Sequence, residues 1–100
     1  MAQFDVYRLG REGVEFVLDL QDEMLEILST RVVAPLALPE TVGPPMKTLS
    51  PRIAVGGVDY ILLTHLLAAI PVAALGNPVG SASSQRDAIV AALDLLFTGI

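Results

Sequence analysis

The sequence contains no cysteine, and this absence excludes several classes of function at once. Disulfide bonds, thiolate chemistry and cysteine-based zinc sites all require that residue. A chain without disulfides suits a reducing compartment, so we expect this protein to act in the cytoplasm. The first residues, MAQFDVYRLGRE, lack the basic stretch followed by an apolar one that a signal peptide needs, and we expect them to belong to the mature protein.

Charge is also scarce, and basic charge is the scarcer kind. Only 17% of the residues are charged, and 11 acidic against 6 basic side chains give a formal net charge of -5. The basic residues are scattered along the chain rather than clustered. Direct nucleic-acid binding needs a positive surface that displaces counterions, so the composition argues against it.

Apolar residues, in contrast, are abundant at 53% of the chain. One hundred residues are enough for one core, so residues 1–100 are predicted to form a single domain whose apolar excess lies against a membrane or another protein. No Asp, Glu, Lys or Arg occurs from Tyr60 to Gln85, which is long enough for a membrane span. Pro71 and the sequence Gly76-Asn77-Pro78 interrupt that stretch, so a protein partner is expected instead of a membrane.

Two β-hairpins are predicted from alternating apolar and polar residues on both sides of a glycine-bearing turn. The first joins the strand around Phe4 and Val6 to Val14–Leu20 through Leu9–Gly13. The second joins Arg52–Val55 to the strand that follows the turn Gly56-Gly57.

The remaining strands are less regular. The segment Arg31–Ala37 is β-branched and apolar, and its Pro35 predicts a sheet edge or a bulge because proline has no N–H for the ladder. Gln21–Leu28 is compatible with either a short helical turn or a loop, and Leu38–Lys47 is predicted to be a loop or a loose excursion from the sheet. Val72–Gly76 is predicted to be a buried strand.

A single helix is predicted to begin after the serines at 81–84 and to end near Phe97, with Ser84 and Asp87 as a weak capping box. A core stripe is expected at helical spacing, flanked by Ala88 and Ala92. Its members are Ile89, Leu93, Leu96 and Phe97. The opposite side is also apolar and is formed by Val90, Ala91 and Leu95. Such a helix is buried on two sides, which favours a symmetric dimer, although single exposed apolar residues are the alternative.

No catalytic residue, metal site or cofactor site emerges from the motifs. His65 is the only histidine and has no nucleophile or orienting acid by motif. An acidic cluster offers oxygen ligands but lacks the glycine and the spacing of a calcium loop, so a solvated acidic face is expected. The cluster consists of Asp19, Asp22, Glu23 and Glu26. The chain is therefore expected to be a binding module and not an enzyme.

The order of several short segments resembles the CcdB toxins of bacterial toxin–antitoxin modules over nearly the whole chain. These segments are Gln3–Tyr7, Asp19–Gln21, Arg31–Ala37, Ile70–Val72 with Gly76, and Leu93–Ile100. The resemblance implies a β-rich α+β fold, an SH3-like antiparallel barrel with a small three-stranded wing and one C-terminal helix. It also implies a cytoplasmic homodimer, with Val90, Ala91, Leu95 and Ile100 at the dimer interface.

In function, the resemblance implies a toxin that binds the DNA gyrase A subunit and traps the enzyme with its DNA cut. A cognate antitoxin with a disordered C-terminal segment would neutralise it. The residues expected to contact gyrase are Met24, Leu25, Asp94, Thr98, Gly99 and Ile100. The apolar end of the sequence, LDLLFTGI, is then expected to serve as dimer face and target face.

One position departs from the family pattern. Thr98 stands where the family has a tryptophan that stacks on arginines of gyrase, and threonine has no π face for that contact. Two readings therefore stay open: a working gyrase poison, or a relative that keeps the dimeric fold and the antitoxin but is non-toxic or redirected.

Overall fold

Seven antiparallel strands and one helix build the protein, whose computed structural model describes residues 2–11, 13–44 and 46–99. The elements in chain order are β1 (Asp5–Arg11), β2 (Val14–Asp19), β3 (Thr30–Ala37), β4 (Arg52–Val55), β5 (Val58–Leu62), β6 (Ala68–Pro71), β7 (Gly80–Ser81) and α1 (Arg86–Thr98). The strands form one sheet in the order β4-β5-β3-β2-β1-β7, and β6 also pairs with β3. This is the nearly closed, SH3-like barrel with a C-terminal helix that the sequence predicted.

Both predicted hairpins are confirmed. In the pair of β1 and β2, Val6 lies opposite Leu18, and the register shifts near the glycine-bearing turn. β4 and β5 are joined by Gly56 and Gly57 alone, at φ angles of 59° and 81°. Two successive positive φ values fit a tight two-residue turn between twisted strands, which glycine adopts without steric penalty.

The prediction that Pro35 marks an edge or a bulge was wrong, because β3 lies in the interior of the sheet. One side of β3 pairs with β2, and the other pairs first with β6 over Thr30–Val33 and then with β5 from Leu36. Pro35 falls where the partner changes, and its carbonyl accepts a hydrogen bond from Leu63 N at 3.0 Å. A strand residue directs its N–H and C=O to the same side, so the missing N–H faces the gap between β6 and β5 and no ladder bond is lost.

The sheet formed by β1, β2 and β3 is covered on both sides, and we name its two faces. The inner face carries the main core with Val6, Phe16, Leu18, Ala34 and Leu36. The outer face carries Tyr7, Val17, Asp19, Arg31 and Val33. Successive residues of a strand alternate between these faces, so one short sequence supplies two buried surfaces.

The segment predicted as a buried strand, Val72–Gly76, is a cover for the outer face instead. β6 ends at Pro71, Val72–Ala74 form a 3-10 turn, and none of these three residues is fully buried. Val72 N donates to Ser29 O at 2.9 Å, and Leu75 packs against the outer-face cluster. A short apolar run does not by itself distinguish a strand from such a cover. The predicted loop at Leu38–Lys47 is confirmed over its described residues, which hold only the 3-10 turn Pro39–Thr41.

The helix α1 spans the predicted region, but its start differs from the prediction. A 3-10 turn at Ser83–Gln85 leads into α1, and no side chain caps the helix, so the proposed box of Ser84 and Asp87 does not form. Ser81 Oγ accepts from Ser83 N at 3.2 Å at the start of that 3-10 turn. No helix in the described part of the chain has the length and apolarity needed to cross a membrane.

Candidate functional site

The segment between β2 and β3, residues 22–29, displays large apolar side chains to solvent; we call it the apolar turn. It contains the 3-10 turn Glu23–Leu25, which begins where Asp22 Oδ1 accepts a hydrogen bond from Met24 N at 2.8 Å. Met24 is 88% exposed and Ile27 is 91% exposed, while Leu25 and Leu28 are each half-exposed. The sequence left a helical turn or a loop open here, and the structure combines a single 3-10 turn with a loop. Four apolar side chains held in water on one short segment indicate a contact surface.

Three carboxylates surround these apolar side chains. Asp22, Glu23 and Glu26 are all exposed, and no Lys or Arg occurs between residues 12 and 30. Glu23 also ties the turn to the chain's start, since its Oε1 accepts from Gln3 N at 3.3 Å. The turn therefore presents an apolar centre with a negative rim, which complements an apolar partner surface with positive charge at its edge.

The fourth member of the predicted acidic cluster, Asp19, does not belong to this surface. Its side chain is fully buried on the outer face, where Oδ2 accepts from Arg31 Nη2 at 2.7 Å and from Arg31 Nε at 3.1 Å. The prediction of one acidic face was thus wrong for Asp19, because alternation along β2 places it beneath the sheet's cover. Within the described residues, no group of three or more His, Asp or Glu side chains is arranged to hold a metal ion.

Gln21 links this buried ion pair to the apolar turn. Gln21 N donates to Asp19 Oδ1 at 2.9 Å, and Gln21 O accepts from Arg31 Nη2 at 3.0 Å. Its side-chain amide donates to Leu25 O at 3.1 Å and to Thr30 O at 3.3 Å. The sequence did not predict this linkage; its only signal was an Asp and an Arg on strands whose alternation points both to one face.

Two atoms of the outer face stay without a hydrogen bond to any described part of the chain, Tyr7 Oη and Arg31 Nη1. Burial raises the pKa of the Tyr7 hydroxyl above its usual value, the carboxylates of Asp5 and Asp19 raise it further, and Arg31 opposes them. Tyr7 therefore stays neutral at physiological pH within a region that also holds a buried ion pair.

The end of α1 brings together three of the residues expected to contact gyrase. Asp94, Thr98 and Gly99 are all exposed there. Thr98 Oγ1 donates to Asp94 O at 2.6 Å, and Gly99, at a φ of 74°, closes the helix by donating its N–H to Leu95 O at 3.0 Å. A left-handed residue after the last turn is a common way to end a helix, and glycine adopts it without strain. Ile100 lies outside the described residues.

The faces of α1 differ from the predicted stripe at its end, where Leu96 is half-buried outside the main core, and at Ala88, which is exposed. Ile89 and Ala92 are fully buried, and Leu93 packs partly against the main core, as predicted. Phe97, predicted to be in the core, is 68% exposed, because the last turn of α1 extends past the core. The residues predicted to lie at a dimer interface, Val90, Ala91 and Leu95, are half-buried, and Val90 contacts the main core.

His65 lies beside an apolar groove of about 630 Å³. The groove lies between the loop that carries Val42 and Met46 and the end of β5 near Leu63. His65 itself is exposed and begins no chain of hydrogen bonds to a nucleophile or an acid within the described residues.

Comparison with solved structures shows the same fold in two bacterial proteins. One is an endoribonuclease from a mycobacterial species in complex with its cognate antitoxin, with a TM-score of 0.78 and 15% identity over 96% of this chain and 93% of that chain. The other is an endoribonuclease from a mycobacterial species, with a TM-score of 0.73 and 16% identity over 96% of this chain and 89% of that chain. At such low identity, the likeness shows the fold alone.

Comparison with protein families gives a more specific result. The family described as CcdB protein matches residues 3–99, which includes both hairpins, the apolar turn and the whole of α1. The match covers the segments whose order suggested the same relationship in the sequence, so this chain belongs to the CcdB family.

Proposed function

We propose that this protein is the toxin of a type II toxin–antitoxin module and that it binds the A subunit of DNA gyrase in the cytoplasm. The observation that carries the proposal is the family match over residues 3–99. The apolar turn and the end of α1 supply the contact surfaces, with Met24, Leu25, Asp94, Thr98, Gly99 and Ile100 as the contacting residues.

The exposure of the apolar turn supports this assignment. Met24 and Ile27 are almost fully exposed in the folded chain. Burying a side chain of this size against a partner stabilises the complex by about 1.5–3 kcal/mol. A homodimer, assembled through Val90, Ala91, Leu95 and Ile100, would present the turn twice and double that contribution.

The helix end contributes less than a tryptophan would. The Thr98 hydroxyl is already bonded to Asp94 O, so Thr98 offers a partner only its methyl group. A cation–π contact, worth about 0.5–2 kcal/mol, is absent from each site. The apolar turn therefore carries the larger share of the target contact in this chain.

An antitoxin belongs to the same proposal. One structural neighbour was solved with its cognate antitoxin, and the resemblance to the CcdB toxins implies a partner that neutralises this chain. A segment that folds on binding would cover apolar surface that this chain leaves in solvent. The protein acts by binding, without catalysis of its own.

The second candidate is a non-toxic or redirected relative that keeps the fold, the dimer and the antitoxin. Thr98 favours it, because large aromatic residues are the usual energetic centres of interfaces.

The deciding experiment expresses the chain in gyrase-sensitive bacteria and measures cleaved DNA complexes with purified gyrase. We expect growth arrest and accumulation of cleaved complexes, and we expect Thr98→Trp to strengthen both by about tenfold, since about 1.4 kcal/mol is a factor of ten. Thr98→Leu is the matched control, because it adds apolar area without a π face.

Met24→Ser should weaken gyrase binding by about tenfold or more, whereas Met46→Ser, at an exposed methionine elsewhere, should leave it unchanged. Normal growth without cleaved complexes, from soluble protein, would favour the second candidate. Incubation with cellular RNA completes the experiment, and RNA cleavage by the purified chain would contradict a mechanism without catalysis.

A further inference from the structure

The side chain of Gln21 joins three separate points of the backbone around the apolar turn. Its Nε2 donates to Leu25 O in the middle of the turn at 3.1 Å and to Thr30 O at its end at 3.3 Å. Its Oε1 accepts from Val32 N in β3 at 3.0 Å. One buried amide thus connects the beginning, the middle and the end of the turn.

Gln21 is itself held by a buried ion pair. Asp19 and Arg31 are fully buried and lie 2.7 Å apart between Oδ2 and Nη2. The remaining oxygen of Asp19 accepts from Gln21 N, and the same nitrogen of Arg31 donates to Gln21 O. Both backbone groups of Gln21 are therefore fixed by charged partners, which make stronger hydrogen bonds than neutral ones.

Beyond the Gln21 amide, the apolar turn is bonded to the rest of the chain through Glu23 Oε1, which accepts from Gln3 N, and through Ser29 O, which accepts from Val72 N. Every residue from 22 to 29 is exposed, so no side chain of the turn anchors it in a core. Within the turn, three backbone–backbone hydrogen bonds, from Leu25, Glu26 and Leu28 N, each span only three residues, and Met24 N donates to Asp22 Oδ1. Solvent-exposed bonds of this kind open easily unless a rigid group holds the segment.

We propose that Gln21 is the positioning residue of the apolar turn and that the buried pair of Asp19 and Arg31 positions Gln21. The inference rests on the proposed function of the turn as a target contact. A segment already held in its bound conformation loses less entropy on association, so the Gln21 amide raises affinity without touching the partner.

The same protein contains a matched control. Gln85 also bridges backbone groups through its side-chain amide, accepting from Ala54 N at 3.3 Å and donating to Arg52 O. It lies in the turn before α1 and joins it to β4. Replacing Gln85 removes the same chemistry from a region distant in sequence from the apolar turn.

The test compares Gln21→Met and Gln85→Met by amide hydrogen exchange on the whole protein. We expect the amides of Leu25, Glu26 and Leu28 to exchange about tenfold faster or more in Gln21→Met, while those of the second hairpin keep their wild-type rates. Gln85→Met should give the reverse pattern, with faster exchange at Ala54. A general loss of stability would accelerate both regions together and would overturn the proposal.

Binding to the purified gyrase A subunit is the second readout. Gln21→Met should weaken it by about tenfold, mainly through slower formation of the complex, whereas Gln85→Met should not. If the wild-type chain does not bind gyrase, the proposed function fails, but the exchange rates still decide whether Gln21 positions the turn. Wild-type protection of the turn in Gln21→Met contradicts the inference whatever the binding result.

Gln21→Glu keeps the test decisive if Gln21→Met does not fold. It retains an acceptor for Val32 N but lacks both donors to Leu25 O and Thr30 O. Faster exchange of the turn with intact protection of β3 supports the proposal, and unchanged exchange of the turn overturns it.

Discussion

The inner and outer faces of β1–β3 are buried to the same degree but are stabilised in different ways. The buried side chains of the inner face are apolar and pack against the second hairpin and α1, with the Arg8 guanidinium over the Phe16 ring at the edge. The outer face combines three apolar residues with a buried ion pair and the hydroxyl of Tyr7. The inner face therefore depends on packing, whereas the outer face depends on whether its polar groups have partners.

The two faces of the sheet also have different roles. The inner face joins the strands to the helix and makes the fold. The outer face, through Asp19, Arg31 and Gln21, is bonded to the apolar turn that we propose as the target contact. A purely apolar outer face would contain no group able to bond the exposed backbone of that turn.

The strongest test of the comparison removes one charge from the outer face. Arg31→Met leaves the carboxylate of Asp19 buried without its partner, so we expect the free energy of unfolding to fall by about 3–5 kcal/mol in urea denaturation. Arg8→Met is the control, because the ion pair of Arg8 with Glu15 is more than half exposed and should contribute about 1 kcal/mol or less. Equal losses for the two variants would contradict a special role for the buried pair.

A second test addresses the inner face. Leu18→Ala leaves a cavity in the main core and should lower the free energy of unfolding by about 2–5 kcal/mol. Leu66→Ala, at a half-exposed position, should lower it by about 0.5 kcal/mol or less. The amides of the apolar turn should exchange in Leu18→Ala at their wild-type rates, although the whole protein is less stable, because the inner face makes no bond to the turn.

These two faces also show what the sequence can and cannot predict. Both hairpins were predictable, since alternation and glycine turns are local signals. The interior position of β3 was not, because Pro35 avoids a lost ladder bond only through the change of partner from β6 to β5. Likewise, Val72–Gly76 is apolar because it covers the outer face. An apolar run does not reveal whether the segment pairs as a strand within a sheet or packs over the face of one.

The candidate site was also predictable from the sequence only in part. Met24 and Leu25, which the family resemblance names as gyrase contacts, are exposed, and their role stays a prediction; the exposure of Ile27 was not predicted. Asp19 was grouped with Asp22 and Glu23 because they are neighbours in sequence. The pairing of β2 with β3 places Asp19 beside Arg31, and the cover that buries both comes from a segment about 50 residues later in the chain.

The mildest test removes one oxygen from the outer face. Tyr7 Oη is buried without a hydrogen bond to the described residues, so Tyr7→Phe should raise the free energy of unfolding by about 1 kcal/mol at neutral pH. The raised pKa of Tyr7 gives the effect a pH dependence. The folded state keeps the proton where an unfolded tyrosine loses it, so wild-type stability should fall as the pH rises above about 10.

Denaturation at neutral pH and at high pH measures both parts of this prediction. Tyr60→Phe is the control, since Tyr60 packs edge-on against Phe16 in the main core. A loss of stability at neutral pH in Tyr7→Phe would show that the hydroxyl has a partner in solution.

The change of partner at Pro35 has a consequence for how the protein opens. On this side of β3, the ladder with β6 ends before Pro35 and the ladder with β5 begins after it. Pro35 has no N–H to donate, so it adds no bond that would join the two ladders. β6 and the turn after it can therefore detach from β3 while β5 stays paired. β6 and this turn then form the part of the sheet that opens most easily, whereas β1, β2 and β3 stay together because they also carry the inner face. Such an opening would bring water to the buried pair of Asp19 and Arg31, which positions the contact region, without unfolding the barrel.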